Sequence, residues 1–243
     1  MTDMAGALAP PGGRILYGGT FDPPHRRHLE VAESALRLLG DSVDGVDFIP
    51  SARPPHKPGR GVLPFGMRCD LVEAALADAG APPRWRCNRM EGERTGPSYT
   101  WDTLGAFRAA EPGVTPYFLL GGEDYALLPT WRHGLELPRL CSLVVAPRGD
   151  VANADTFRAV ALRNWPKARE AAPLETADGA APRMRLPGGG VALLLPLAPE
   201  AVSSSEIRAA WLAGLAPEGL SPKVLQLLDQ HREAVTAAWR EER

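Results

Sequence analysis

Short apolar segments alternate along the chain with segments of helical periodicity. The apolar segments are bounded by Gly, Pro and Asp and predict strands. They lie at residues 14–19, 46–50, 85–90, 115–122, 141–148 and 191–197. Between them, helical spacing of apolar residues occurs at residues 28–39, 65–79, 100–110 and, more ambiguously, 156–171. This alternation predicts an α/β fold with a doubly wound parallel sheet, in which ligands bind beyond the carboxyl ends of the strands.

The chain is predicted to form one domain over residues 14–243, preceded by a flexible tail at residues 1–13. Residues 150–190 are rich in Ala, Pro and Arg and have poor periodicity, so they predict a surface insertion. Helical patterns return near the C-terminus, at residues 203–214 and 221–242. The doubly wound sheet would therefore be followed by C-terminal helices.

Composition and charge argue against several classes of protein. A formal net charge of −2 and a pI near 6.2 give no global basic field, so we expect no nucleic-acid partner and no attraction to an anionic membrane. The N-terminal residues lack the features of a signal peptide, and no segment has the roughly 20 apolar residues of a membrane span. The three cysteines show no C-x-x-C spacing. A cytoplasmic protein with local anion sites is expected.

The segment GGTFDPPHRRHLE, at residues 18–30, joins a glycine-rich, proline-stiffened turn to the start of a helix. Gly18 and Gly19 allow a tight turn and close approach to a ligand, and Thr20 and Phe21 lead from them toward the helix. His25 and His28 would share one face of the first helical turn, where unpaired N–H groups and the helix dipole favour anions. Imidazoles in that position can donate hydrogen bonds to phosphate oxygens. A zinc pair and a purely structural turn are the alternatives.

A second anion site is predicted in VSSSEIR, at residues 202–208. Ser203 and Glu206 have the spacing of a capping box, so Ser203 can cap a helix whose first turn offers the hydroxyls of Ser204 and Ser205. Arg208 follows within reach of the same helix end. An ordinary helix start is the alternative. Facing the histidine segment, this helix start would complete a clamp for a polyphosphate.

Three further segments carry candidate binding residues. Lys57 lies in the proline-stiffened loop SARPPHKPG, and its compact charge suits a moving phosphate, although a solvated loop lysine is the alternative. The segments GPSYTWDTL and GGEDYALLPTW place aromatic and polar residues near predicted element ends, where a flat heteroaromatic ligand could bind. Their candidate residues are Tyr99, Thr100, Trp101, Asp124 and Trp131. Each aromatic residue could equally belong to the core.

Taken together, these motifs resemble those of the nicotinate mononucleotide adenylyltransferases, in the HxGH nucleotidyltransferase superfamily. The likeness runs from about Arg14 to about Leu212, without residues 150–190, through GGTFDPPH, RPPHK, YTWDTL, GGEDY, VVAPRG and SSSEIR in that order. It implies a Rossmann-like nucleotidyltransferase fold. It also implies an enzyme of NAD biosynthesis that transfers AMP from ATP to nicotinate mononucleotide, giving nicotinate adenine dinucleotide and pyrophosphate.

The resemblance also assigns roles to residues. It implies that His25 and His28 contact ATP phosphates, that Lys57 steadies the reacting phosphates, and that residues 18–21 contribute to nucleotide binding. Ser204, Ser205 and Arg208 would bind the β- and γ-phosphates, Asp124 would lie on the nucleotide side of the crevice, and Tyr99, Thr100 and Trp131 would form the nicotinate pocket. Mg²⁺ is implied with ATP, held mainly by phosphate oxygens and water without a dedicated protein ligand.

One position departs from the family motif HxGH. Arg27 stands where the family has a glycine that lets the adenine ring approach the helix backbone. An arginine side chain would fill that space or swing aside and stack on the base. The C-terminal motif is SSS here instead of SST. Two alternatives follow: a nucleotidyltransferase with a different phosphate acceptor or nucleotide, and a nucleotide-binding protein whose catalysis is impaired by Arg27.

Overall fold

The computed structural model describes residues 12–54, 61–199 and 202–240. Its strands are β1 (Gly13–Gly19), β2 (Val43–Pro50), β3 (Trp85–Cys87), β4 (Thr115–Gly121), β5 (Ser142–Ala146), β6 (Arg169–Thr176), β7 (Gly179–Arg185) and β8 (Val191–Leu194). Its helices are α1 (Arg26–Leu39), α2 (Phe65–Asp78), α3 (Thr100–Ala110), α4 (Gly122–Leu127), α5 (Ala154–Asn164), α6 (Ser204–Leu212), α7 (Pro222–Gln230) and α8 (Arg232–Arg240). No helix in the described residues is long and apolar enough to cross a membrane.

The strands form one eight-stranded sheet in the order β3-β2-β1-β4-β5-β8-β7-β6. Strand β1 pairs in parallel with β4, β4 with β5, and β5 with β8. Strands β8, β7 and β6 pair antiparallel, so a hairpin extends one edge of the sheet. The strand order reverses at β1, as it does in doubly wound folds. The prediction of a doubly wound, mostly parallel sheet is confirmed.

The central strands are continuous apolar runs because parallel strands are covered on both faces. In β4, the five residues from Pro116 to Leu120 are all buried. The burial pattern of α1 is instead that of a helix with one covered face. Its buried apolar residues recur at spacings of three and four; they are Val31, Ala32, Ala35, Leu38 and Leu39. Burial of both faces thus explains the continuous apolar runs of the central strands, and burial of one face explains the helical spacing of apolar residues in α1.

The helix predicted at residues 156–171 is wrong in its second half. Helix α5 occupies Ala154–Asn164, and Arg169–Thr176 forms the strand β6. Asn153 caps the helix through a capping box, which fixes its start. Pro166 follows two residues after the last helical residue and cannot continue a helix. Residues 150–190, predicted as a surface insertion, therefore contain a helix and the β6–β7 hairpin.

The single helix predicted at residues 221–242 is also wrong, because the chain forms two helices there. Helices α7 and α8 are separated at His231, whose φ of −111° and ψ of 28° depart from helical values. Both helices bury apolar side chains in the same cluster. Helix α4 was not predicted, and β3 ends at Cys87 instead of residue 90.

The chain divides into two compact units. The first contains Met1–Tyr17, Val31–Val46 and Thr100–Glu200, and the second contains Gly18–Glu30, Asp47–Tyr99 and Ala201–Arg243. The core of the second unit is a cluster of buried apolar residues: Leu63, Leu71, Ala75, Trp211, Val224, Leu228, Val235 and Trp239. The single domain over residues 14–243 stays a prediction. Residues 1–11 of the predicted tail lie outside the described residues.

Candidate active site

The histidine turn, residues 18–28, leads from the end of β1 into the first turn of α1. Phe21 has a φ of 50°, a left-handed conformation that is uncommon for a bulky residue. Its buried ring packs against Phe48, with 5.8 Å between centroids, and a Cβ added to Gly19 would lie 3.0 Å from that ring. The Gly19 carbonyl accepts the backbone N–H of Ser51 at 2.9 Å. The absence of a side chain at Gly19 thus permits the compact turn.

His25 and His28 lie against each other, with ring centroids 3.8 Å apart. The backbone N–H of His25 donates to Nδ1 of His28 at 3.1 Å. Because Nδ1 accepts this hydrogen bond, Nε2 is the nitrogen of His28 that carries a proton and can donate. The edge of the Phe21 ring also contacts the His28 ring, with centroids 5.0 Å apart. The orientation of His28 is therefore fixed by its neighbours.

The first turn of α1 is positively polarised. It contains Arg26, Arg27 and His28 and no acidic residue. The N–H of Arg26 donates to the Gly219 carbonyl at 2.8 Å, which ties this helix start to the loop between α6 and α7. The helix dipole adds to the basic side chains, so this end of α1 favours an anion.

The triple-serine turn, residues 203–205, meets the histidine turn directly. Ser203 caps α6 as predicted, and its Oγ accepts the N–H of Glu206 at 3.2 Å. The hydroxyl of Ser204 donates to the Pro23 carbonyl at 3.1 Å. Since Pro23 is two residues before His25, the starts of two helices lie at one place in the second unit.

The Arg208 side chain links the histidine turn to the triple-serine turn. Its Nη1 donates to the Asp22 carbonyl at 3.0 Å, and its Nη2 donates to the Ser205 hydroxyl at 3.2 Å. Only 5% of Arg208 is exposed. The guanidinium therefore holds the two turns together. Its contact with phosphate, which the family resemblance implies, stays a prediction.

The side-chain carboxylate of Asp22, a residue of the histidine turn, is buried. Its Oδ1 accepts the N–H of Leu63 at 3.3 Å and the indole N–H of Trp239 at 3.2 Å. Burial raises the pKa of Asp22; the hydrogen bond from Trp239, the charge of Arg208, the Leu63 N–H and the charge of Arg68 lower it, in that order. These neighbours act to keep a buried carboxylate ionised.

Arg68 is a site residue that the sequence analysis missed. It lies on α2 with 1% exposure and donates to three backbone carbonyls: Leu63 at 2.9 Å, Thr20 at 2.8 Å and Ser51 at 2.6 Å. Burial lowers the pKa of Arg68. Its position three residues before the buried Leu71 was the available signal, because that spacing places Arg68 on the apolar face of α2. Arg68 fixes the carbonyl of Thr20 in the histidine turn.

The remaining predicted residues are described one by one. Lys57 lies outside the described residues. Tyr99, in the second unit, is partly buried, and its N–H donates to the Pro97 carbonyl at 3.1 Å. In the first unit, Thr100 begins α3 and Asp124 is an exposed residue of α4. Trp131, also in the first unit, is partly buried. A nicotinate pocket formed by these residues stays a prediction.

Arg27 is folded back along α1. Its Nη1 lies 3.3 Å from Oε2 of Glu30, and 12% of its side chain is exposed. Arg26 shares the same carboxylate, with its Nε 3.0 Å from Oε1, but 64% of the Arg26 side chain is exposed. The arginine at the motif glycine is therefore covered, whereas its neighbour extends into solvent.

Comparison with known sequences finds a family model and several relatives that match this chain. The model of the cytidylyltransferase-like family matches residues 16–210. A protein of Pelobacter propionicus, named probable nicotinate-nucleotide adenylyltransferase, is 43% identical over 133 residues, 55% of this chain and 59% of that protein. Proteins of the same name from Trichlorobacter lovleyi and Geobacter metallireducens are 42% and 35% identical over 56% and 63% of this chain, and over 62% and 68% of their own lengths. The match spans about three fifths of the first two relatives.

Solved structures share the fold. The Plasmodium falciparum nicotinic acid mononucleotide adenylyltransferase complexed with NaAD superposes with a TM-score of 0.65 at 16% identity, over 92% of this chain and 97% of that chain. The same enzyme complexed with APC gives a TM-score of 0.65 at 14% identity, with the same coverage. At such identities the likeness concerns the Rossmann-like fold, which agrees with the observed sheet.

Proposed function

Since the chain belongs to the cytidylyltransferase-like family, we propose that it transfers AMP from ATP to nicotinate mononucleotide, giving nicotinate adenine dinucleotide and pyrophosphate. The name shared by its relatives supports this choice of acceptor. The observation that carries the proposal is the contact between the histidine turn and the triple-serine turn, made by the Ser204 hydroxyl on the Pro23 carbonyl at 3.1 Å. Two positively polarised helix starts at one place are suited to a chain of phosphates.

In this proposal the two turns divide the triphosphate between them. His25 and His28 contact the phosphates near the reacting centre, and the proton on Nε2 of His28 gives it a donor for a phosphate oxygen. The Ser204 hydroxyl donates its proton to the Pro23 carbonyl, so Ser204 would contact the β- and γ-phosphates through its backbone N–H at the start of α6. Ser205 can donate its hydroxyl proton to them, because its oxygen accepts from Arg208. Arg208 contributes positive charge next to Ser205 and donates a hydrogen bond to the Ser205 hydroxyl.

The reaction proceeds by in-line displacement at the α-phosphorus of ATP. An oxygen of the acceptor phosphate, already anionic, forms the new P–O bond. The bond from the α-phosphorus to the oxygen bridging to the β-phosphorus breaks, and pyrophosphate leaves with that electron pair. The protein needs no covalent intermediate, because it can accelerate the step by positioning the two phosphates and stabilising the charge that develops on the leaving group.

Magnesium enters this proposal as part of the substrate MgATP. Mg²⁺ keeps several waters and binds nucleotides mainly through phosphate oxygens. In the described residues no group of three or more His, Cys, Asp or Glu is arranged to hold a metal. The carboxylate of the histidine turn, Asp22, accepts protein donors from Leu63 and Trp239. When bound, the ion neutralises charge on the phosphates, and the protein supplies the surrounding hydrogen bonds.

The acceptor side is proposed from the family resemblance. Tyr99, Thr100 and Trp131 would bind the pyridine ring of the mononucleotide, and Asp124 would lie on the nucleotide side. Lys57 would steady the reacting phosphates. We propose a cytoplasmic enzyme that acts on small molecules.

The function is tested by incubating the purified protein with Mg²⁺, ATP and nicotinate mononucleotide. Pyrophosphate release and dinucleotide formation are followed together, and a reaction without acceptor is the control. We expect one pyrophosphate for each dinucleotide. Turnover only with another phosphate acceptor or nucleotide would instead identify a different nucleotidyltransferase. ATP binding without turnover with any acceptor would identify a nucleotide-binding protein impaired by Arg27.

Replacing Arg27 by glycine is expected to tighten ATP binding. The covered side chain of Arg27 occupies space beside the start of α1, where the family glycine lets adenine approach. Removing it should lower the Kd for ATP by about 3- to 10-fold, which corresponds to roughly 1 kcal/mol. Calorimetric titration of the protein with MgATP measures the change.

Arg26→Gly is the matched control for Arg27→Gly. It makes the same substitution in the same helical turn and removes an ion pair with the same partner, Glu30, but its side chain is mostly exposed. We expect its Kd to stay near that of the wild type or to rise, because Arg26→Gly removes a positive charge from the anion-favouring first turn and frees no covered space. An unchanged or higher Kd in Arg27→Gly would contradict the steric role of Arg27.

A further inference from the structure

A buried acid of the histidine turn is bound by the last helix of the chain. The Asp22 carboxylate is 2% exposed, and its Oδ1 accepts the indole N–H of Trp239 at 3.2 Å. Trp239 is near the end of α8, 217 positions later in the sequence. The other donor to Oδ1 is the Leu63 N–H at 3.3 Å, and Nη1 of Arg208 lies 4.0 Å from Oδ2. Three distant segments of the second unit thus converge on one carboxylate.

The contact between Trp239 and Asp22 can affect the two histidines that are proposed to bind the reacting phosphates. Asp22 is three residues before His25 and adjoins Pro23, whose carbonyl accepts the Ser204 hydroxyl. Its own carbonyl is held by Arg208 at 3.0 Å. Fixing both the side chain and the main chain of Asp22 therefore fixes the turn from which the two histidines project.

Trp239 can supply such a fixed donor because its ring is itself immobilised. The residue is 2% exposed, and its ring meets that of Trp211 edge to face, with centroids 5.3 Å apart. It belongs to the buried cluster of the second unit. Packing fixes the direction of the indole N–H, so forming the hydrogen bond to Asp22 loses little additional conformational entropy.

We propose that Trp239 is a positioning residue for the transfer reaction, which acts by holding the Asp22 carboxylate and through it the histidine turn. This inference rests on the proposed function, because turnover is one of its readouts. It assigns a role in the reaction to α8, which carries none of the motif residues. A purely structural role for Trp239, as part of the apolar cluster, is the alternative to be excluded.

Trp211 provides a matched control within the same cluster. It is also 2% exposed, but its indole N–H donates to Oδ1 of Asp229 at 3.1 Å, on a side chain that is 45% exposed. Trp211→Phe and Trp239→Phe therefore remove the same N–H group from two packed rings. Only the Trp239 substitution removes a donor from Asp22.

The expected signature is a shift in the pH profile. Burial raises the pKa of Asp22, whereas Trp239 and the charges of Arg208 on α6 and Arg68 on α2 lower it. Removing the Trp239 donor should raise this pKa further, so the carboxylate becomes protonated at higher pH. The acid limb of kcat/KM should move up by about 0.5 to 1 pH unit in Trp239→Phe, with a loss of up to about tenfold near neutral pH. Trp211→Phe should retain the wild-type limb.

A second readout does not depend on turnover. The imidazole signals of His25 and His28 in ¹H–¹⁵N spectra report on the geometry of the turn. We expect them to shift in Trp239→Phe and to stay in place in Trp211→Phe. If the wild type releases no pyrophosphate, the proposed function fails, and the histidine signals alone decide whether Trp239 orders the turn.

Asp22→Asn weakens the same hydrogen bond from its other end without changing the apolar cluster, because an amide oxygen is a weaker acceptor than a carboxylate oxygen. It replaces Trp239→Phe if that variant does not fold. It should abolish the acid limb assigned to Asp22 and shift both histidine signals. An unchanged limb and unchanged signals in Asp22→Asn would overturn the inference. Equal pH profiles and equal losses of thermal stability in the two Trp→Phe variants would overturn it as well, because Trp239 would then act only in the core.

Discussion

Replacing Arg208 by alanine is expected to lower kcat/KM by about 10²- to 10³-fold, as the loss of one preorganised donor for a developing negative charge does in other active sites. Arg208 holds the Asp22 carbonyl and the Ser205 hydroxyl, so its removal disturbs both turns that are proposed to bind the triphosphate. Pyrophosphate release under steady-state conditions measures the loss.

The same substitution should also destabilise the fold. Arg208 is buried, and its removal takes from the buried Asp22 carboxylate one of two nearby positive charges, leaving Arg68, and takes from the Asp22 carbonyl the donor Nη1. We expect the free energy of unfolding to fall by about 2 to 4 kcal/mol. Urea denaturation measures this loss, and kinetic assays below the onset of unfolding keep it separate from the loss of turnover.

Two variants control for charge and for general effects of arginine loss. Arg208→Lys retains the charge but cannot reproduce two hydrogen bonds from a planar fork, so it should recover only part of the activity. Arg232→Ala removes an arginine whose side chain is 55% exposed, in the same unit, and should change turnover little. If Arg208→Ala lost stability but retained wild-type kcat/KM, the residue would be structural only.

The parts of the fold and site that could be predicted have local signals. The alternation of apolar runs and helical periods gave the doubly wound sheet, because each pattern reflects which faces an element buries. Ser203 was predictable as a cap because the Ser-to-Glu206 spacing is itself the capping geometry. The shared position of His25 and His28 at the start of α1 was predictable because they lie within one segment whose glycines and prolines mark a turn.

The parts that could not be predicted depend on distant segments. Trp239 gave the same apolar signal as any core residue, and nothing in α8 indicates that its indole N–H would meet Asp22. Arg68 interrupts an apolar face, but which carbonyls it would bind depends on how three loops converge. The break at His231 was missed because helical periodicity continues on both sides of it. Side-chain contacts between distant segments are set by the packed fold and have no local pattern.

Replacing Arg68 by methionine is expected to be the most destabilising of the substitutions considered. Methionine fills the space of the aliphatic part of the arginine side chain, but it leaves the guanidinium space empty and cannot donate to the Leu63, Thr20 and Ser51 carbonyls that the guanidinium now binds. Unsatisfied buried acceptors and the loss of a charge that lowers the pKa of Asp22 should together cost about 3 to 5 kcal/mol of unfolding free energy. Urea denaturation at neutral pH gives this value directly.

Arg89→Met is the matched control for Arg68→Met, since it makes the same exchange at an exposed arginine of the same unit. Arg89 pairs with Asp70 at 2.6 Å and with Glu73 at 2.9 Å, and 42% of its side chain is exposed. Exposed pairs of this kind contribute at most about 1 kcal/mol, so Arg89→Met should unfold close to the wild-type midpoint. Equal losses in the two variants would contradict the claim that the carbonyl contacts of Arg68 hold the histidine turn. A loss confined to Arg68→Met would support it, because, of these two arginines, it is Arg68 that donates to carbonyls of the turn, of Ser51 after β2 and of Leu63 before α2.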